Sequence, residues 1–320
     1  MDNKKKPERR WRRLMFVFGG LLLIFLAASS IYEAWVSEKE KKANPPPGKI
    51  VEVNDKNIHL HQRGEGDPTV VFTAGSGTAS PYADMYKLQE AVSKEHSTIM
   101  YERPGYGWSE PSSQERTVHN LTSELKQALE KSGEGGPYVF AAHSMGALEV
   151  LHYAQRYPEE VKGIVLIDGV HPRHAAERTI ETPMRSYVYK AMRNTGILRL
   201  LMQSEYFASM EVDPYEQIPE DIRKKNELMT LQHRWNDTMI AEREKFNENG
   251  RTVYEEGDIG DIPLTILTAD FPGRENWHET QLDMKDYSSQ SEQEIIPHTT
   301  HFIHHEEPEV VIEAILKTAE

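Results

Sequence analysis

The chain has 320 residues, 38% apolar and 28% charged, with 37 basic and 51 acidic side chains and a net charge of −14. That is a globular composition, long enough for one catalytic domain with an insertion. It contains no cysteine, which excludes a cysteine nucleophile, a thiolate metal site and disulfide support.

At the N-terminus, Lys4, Lys5, Lys6, Arg9, Arg10, Arg12 and Arg13 precede an uncharged 19-residue run from Leu14 to Tyr32. The length suits one crossing of a bilayer, and the basic flank predicts a cytoplasmic N-terminus with the remainder outside. Trp11, Tyr32 and Trp35 stand where an aromatic belt would. The expectation is a basic segment over 1–13, a single transmembrane helix over 14–32 in the cell membrane, and a linker over 33–48 containing Pro45, Pro46 and Pro47. The alternative is a cleaved signal peptide and a secreted protein, since the small residues Ala27 to Ser30 resemble a processing site. Setting aside the seven basic and two acidic side chains of the first 32 residues leaves 30 against 49, a charge of −19. That surface repels phosphate backbones, so no nucleic-acid partner is expected.

After the linker, Ile50 to Val53 and Ile58 to Gln62 read as short strands around an Asn54-Asp55 turn, and Thr69 to Thr73 as a buried strand. Ala74-Gly75-Ser76-Gly77 follows. Its glycines can turn backbone N–H groups toward a pocket, and it lacks the lysine of a phosphate-binding P-loop. Helical patterns at Tyr82 to Val92, Val118 to Lys131 and Ala147 to Tyr157 alternate with strands at Ser97 to Tyr101, Tyr138 to Ala142 and Gly163 to Asp168. Such alternation predicts an α/β fold with a mostly parallel sheet and helices on both faces. Ligands of such sheets lie at the carboxyl ends of the strands.

Residues 171–260 break the period, with helical patterns at Met184 to Met202 and Ile222 to Phe246. They are expected to form a helical cap inserted into a core of residues 49–170 and 261–320. The core resumes with strands at Leu264 to Thr268 and around Glu294 to Pro297, and a helix from Pro308 to Lys317.

Chemistry enters at His143-Ser144-Met145-Gly146-Ala147, a sharp strand-to-helix turn that would expose the Ser144 hydroxyl above the sheet. A serine hydroxyl needs a base. His301 is the best placed candidate, between the last strand and the last helix, with His298, His304 and His305 crowding the same segment. The tract also has a bland reading as a polar loop or weak metal binder, but no HExxH spacing occurs and no metal site is assigned. A carboxylate would orient the imidazole. Asp168 and Asp270 both end strands and both give the order Ser, Asp, His, so chain order does not choose between them. Backbone amides of Ser76 and Met145 are the expected oxyanion donors.

These residues resemble the α/β-hydrolase superfamily from about Lys49 to Thr318. Tyr101-Glu102-Arg103-Pro104-Gly105-Tyr106-Gly107-Trp108-Ser109 resembles its loop after the fourth strand, and Thr300-His301-Phe302-Ile303-His304-His305-Glu306-Glu307-Pro308 its C-terminal histidine motif. The resemblance implies that His301 is the base. Asp168 in Leu166-Ile167-Asp168-Gly169 resembles the sixth-strand variant of the acid and is preferred to Asp270. What it implies is a serine hydrolase, of carboxylesterase type, that cleaves an ester or related acyl bond of a small-molecule or lipid-like substrate, with no cofactor. The rivals are an aminopeptidase or amidase of the same fold, using cap carboxylates such as Glu205, Glu211 and Asp213, and a catalytically weak ligand-binding sensor. Oligomeric state is open.

Overall fold

The computed structural model describes residues 6–177, 184–204, 215, 218–271 and 275–320. The chain falls into two units: the described parts of Met1–Pro45 with Tyr187–Val212, and those of Pro46–Ser186 with Asp213–Glu320.

In the first unit a single helix runs through Lys6–Ala43. Its apolar window has a mean hydropathy of 2.4 and is not buried, so the helix is long and apolar enough to cross a bilayer. The helix continues well past Tyr32, because Glu, Lys and Ala fill Glu38 to Ala43 and favour helix. Only a short connection containing the three prolines, which cannot extend a helix, leads to the first strand. The Arg199 guanidinium bridges Glu33 and Glu40 with N···O distances of 2.7 to 2.8 Å. The helix expected over Met184 to Met202 is broken into Met184–Asn194 and Ile197–Met202. Gly196 causes the break, holding a φ of 73° that L side chains rarely adopt.

The second unit is built on an eight-stranded sheet: β1 (Lys49–Val53), β2 (Lys56–Arg63), β3 (Val70–Thr73), β4 (Thr98–Tyr101), β5 (Tyr138–His143), β6 (Val161–Ile167), β7 (Leu264–Asp270) and β8 (Ser291–Pro297). The spatial order is β1-β2-β4-β3-β5-β6-β7-β8. The hairpin β1–β2 and the pair β2–β4 are antiparallel, and every other pair is parallel. Asn54 and Asp55 both take positive φ, which matches the twist a two-residue hairpin turn needs.

Successive side chains of a strand point to opposite faces, so the central strands are apolar throughout and feed two cores. Val71, Ile99, Phe140 and Leu166 pack with the helices Val118–Ser132 and Gly146–Arg156 on one face. Val70, Phe72, Met100, Val139 and Val165 pack with Tyr86–Val92 and Pro308–Ala319 on the other. The α/β-hydrolase arrangement expected from the sequence is therefore present.

Two further helices expected as continuous are broken in this unit. Tyr82 to Val92 splits at Met85 into Pro81–Asp84 and Tyr86–Val92. Ile222 to Phe246 splits into Glu220–Gln232, Asp237–Glu244 and a further helix, Phe246–Glu256. The second break falls at Trp235, with φ 56°, and at Asn236, whose side chain accepts from the Met239 N–H and caps the next helix. These helices dock on the loop after β4: the Asn236 amide donates to the Gly105 carbonyl at 2.7 Å, and the Tyr106 hydroxyl donates to Glu242 at 2.9 Å.

Candidate active site

Ser144 occupies the turn between β5 and the helix Gly146–Arg156, with φ 53°. A non-glycine residue in this region is strained. Three backbone bonds hold it there: the Ser144 N–H donates to the Ile167 carbonyl at 3.2 Å, and its own carbonyl accepts from Val170 at 2.9 Å and from Ala147 at 3.1 Å. The turn also has to fit tightly against the loop after β3. A Cβ on Gly146 would stand 2.7 Å from Thr73 Oγ1, and one on Gly75 would stand 3.0 Å from Ser144 Cβ.

His301 follows β8, and its Nε2 stands 2.8 Å from Ser144 Oγ. Its Nδ1 stands 2.5 Å from Asp168 Oδ2. With Nδ1–H donated to the carboxylate, Nε2 is left as the acceptor facing the serine hydroxyl. Asp168 directly follows β6 and is fully buried. Its other oxygen, Oδ1, accepts from the Ala269 N–H at 3.1 Å and from the Trp277 indole N–H at 3.0 Å. The fold thus brings Ser144, His301 and Asp168 together. Asp270 lies exposed at the end of β7; its chain neighbour Ala269 reaches Asp168 through the backbone.

Three groups around this chain escaped the sequence reading. Trp277 is one, since an indole in a helical pattern reads as core. His143 is another: it is buried, and its Nε2–H donates to the His301 carbonyl at 2.9 Å. Burial, with His304 and His301 adding to it, holds its pKa well below the usual histidine range, so the ring is neutral. The histidine tract itself divides. His298 is exposed, whereas His304 and His305 turn toward Asp84.

A family profile described as alpha/beta hydrolase fold matches residues 68–196. An uncharacterized protein of Bacillus subtilis, YbdG, is 35% identical over 161 residues, which cover 49% of this chain and 50% of that protein. The (E)-2-((N-methylformamido)methylene)succinate hydrolase of Acinetobacter baylyi is 27% identical over 128 residues, 40% of this chain and 47% of that one. The match to each of these curated relatives spans half of its length or less. The crystal structure of the Cif epoxide hydrolase from Acinetobacter nosocomialis superposes with a TM-score of 0.65 at 18% identity, over 91% of this chain and 97% of that chain.

This chain has the α/β-hydrolase fold.

The third missed group is Arg103, from the loop after β4. Its guanidinium is buried and donates to the carbonyls of Ala74 at 2.9 Å and Gly75 at 3.3 Å. In a trans peptide the N–H points opposite to the preceding C=O. Binding the Gly75 carbonyl therefore aims the Ser76 N–H away from Arg103. The N–H groups of Ser76 and Met145 carry no hydrogen bond among the described residues. Glu149 and Glu242 each lie 3.2 Å from Arg103 and hold it in place. Burial raises the Glu149 carboxyl to about 7 in spite of that guanidinium.

A cleft of about 390 Å³ lined by His171, Arg173, Tyr254, Asp258, Asp283 and Tyr287 includes neither Ser144 nor His301. The cap carboxylates Glu205, Glu211 and Asp213, named above for an amine-recognising rival, lie outside the described residues.

Proposed function

We propose that this chain is a serine hydrolase that cleaves a carboxylic ester or related acyl bond. The observation that carries the reading is the unbroken relay from Ser144 Oγ to His301 Nε2 at 2.8 Å and from His301 Nδ1 to the buried Asp168 at 2.5 Å. In this mechanism His301 takes the Ser144 proton as the oxygen attacks the carbonyl, and Asp168 stabilises the resulting imidazolium. The N–H groups of Ser76 and Met145 hold the developing oxyanion. His301 then protonates the leaving alcohol and activates the water that releases the acid. A serine at the turn does not fit the aspartate-nucleophile chemistry of epoxide hydrolases.

The reading includes a single-pass anchor, with the basic N-terminal residues in the cytoplasm, residues 14–32 in the cell membrane and the catalytic unit outside. A domain held beside a bilayer suits a lipid-like acyl substrate.

The test is labelling of the full chain in detergent with a fluorophosphonate probe, followed by peptide mass spectrometry. The expected result is an adduct on Ser144 that is lost in Ser144→Ala and strongly slowed in His301→Ala. A folded chain that takes no adduct on Ser144 overturns the reading.

A further inference from the structure

Beyond His301, the remaining histidines of the tract form a second constellation. His304 and His305, on the short helix Ile303–Glu306, face the carboxylate of Asp84, the last residue of the helix Pro81–Asp84. His305 Nε2 stands 2.9 Å from Asp84 Oδ1, and His304 Nε2 stands 3.4 Å from Oδ2. The donor atoms of the three residues lie within 4.8 Å of one another. The Tyr215 hydroxyl approaches Oδ1 at 3.3 Å.

Two of the three are deeply buried, Asp84 at 6% and His304 at 1% exposure. Yet among the described residues Asp84 Oδ2 and His304 Nε2 have no hydrogen-bond partner, a costly arrangement for polar atoms out of water. Around a tetrahedral zinc ion with bonds of about 2.0–2.1 Å, neighbouring donor atoms stand about 3.3–3.4 Å apart. The His304 to Asp84 separation of 3.4 Å fits that edge and is long for a direct hydrogen bond. Two imidazoles and a carboxylate are also a donor set that zinc accepts.

We propose that Asp84, His304 and His305 bind one divalent transition-metal ion, with zinc the best match, and leave the fourth position open to water beside the Tyr215 hydroxyl. The ion is structural. It ties the helix that follows the Ser76 loop to the segment that carries His301. His304 packs against His143 with ring centroids 4.5 Å apart, and His143 holds the His301 carbonyl. A fixed His304 therefore fixes the support of His301. The other group of similar composition, His119, His152 and Glu256, has two exposed members and serves as the control.

The test is titration of the full chain in detergent, after treatment with a chelator, with zinc chloride alone, followed by calorimetry and by thermal melting. Saturable binding of one ion is expected, with a rise in Tm. The affinity falls at least about tenfold in His305→Ala and in Asp84→Asn and is unchanged in His119→Ala. If Asp84→Asn does not fold, His305→Ala decides, because that ring is only partly buried. Absence of saturable binding, or zinc affinity in His305→Ala equal to that of the parent, overturns the proposal. So does loss of binding in His119→Ala alone.

Discussion

The indole of Trp277 and the imidazole of His301 donate to opposite oxygens of the buried Asp168 carboxylate, at 3.0 and 2.5 Å. The indole leaves Oδ2 free to face only His301. A hydrogen bond to a charged group is worth about 1.5–3 kcal/mol, and about 1.4 kcal/mol is a tenfold change in rate. Trp277→Phe keeps most of the ring volume and removes the N–H. Its kcat for an ester is expected to fall about tenfold with little change in KM, measured by steady-state kinetics. An unchanged kcat would show that Trp277 only packs.

Asp168 and Asp270 separate by experiment. Asp168→Asn leaves the imidazole without its acceptor, and losses of about 10⁴-fold are typical of that change in serine proteases. Asp270→Asn, at an exposed position, is expected to keep near-parental turnover. Equal losses in the two variants would count against the assignment of Asp168.

Ser144 combines strain with its proposed role. Its φ of 53° costs on the order of 1–3 kcal/mol for a residue with a side chain, and glycine pays little there. Ser144→Gly is expected to abolish ester turnover and to raise unfolding stability by about 1 kcal/mol in denaturant titration. Ser144→Ala abolishes turnover without that gain. A Ser144→Gly variant less stable than Ser144→Ala would contradict the strain argument.

Glu149 predicts a pH dependence of stability. Its folded pKa is raised from 4.5 to about 7, first by burial. Between those values the folded chain binds a proton that the unfolded chain has lost. The contribution of Glu149 to stability is therefore full below about 4.5 and declines as the pH rises to 7, by about 3 kcal/mol in all. Glu149→Gln cannot ionise. Its Tm relative to the parent is expected to rise between pH 5 and pH 8, and a constant difference across that range would rule out the buried ionisation.

The sequence alone determined the architecture, because apolar runs such as Val139 to Ala142 and Gly163 to Ile167, spaced by amphipathic helices, bury well in only one kind of layered sheet. It also marked Ser144, since a strand, a tight turn and a glycine are local features. Helix breaks at Met85, Gly196 and Trp235 were less legible. Local periodicity carries on across a residue whose φ or ψ is set by packing, as where the Trp235 ring lies over Gly77. Chain order did not choose which aspartate meets His301, and only the resemblance leaned to Asp168: β6 and β7 are adjacent and parallel, so Asp168 and Asp270 both arrive at the same end of the sheet. What distinguishes them is that Ala269 and Trp277 enclose one carboxylate and solvent surrounds the other. Donors so distant in sequence leave no periodic trace, and only tertiary packing brings them to one oxygen.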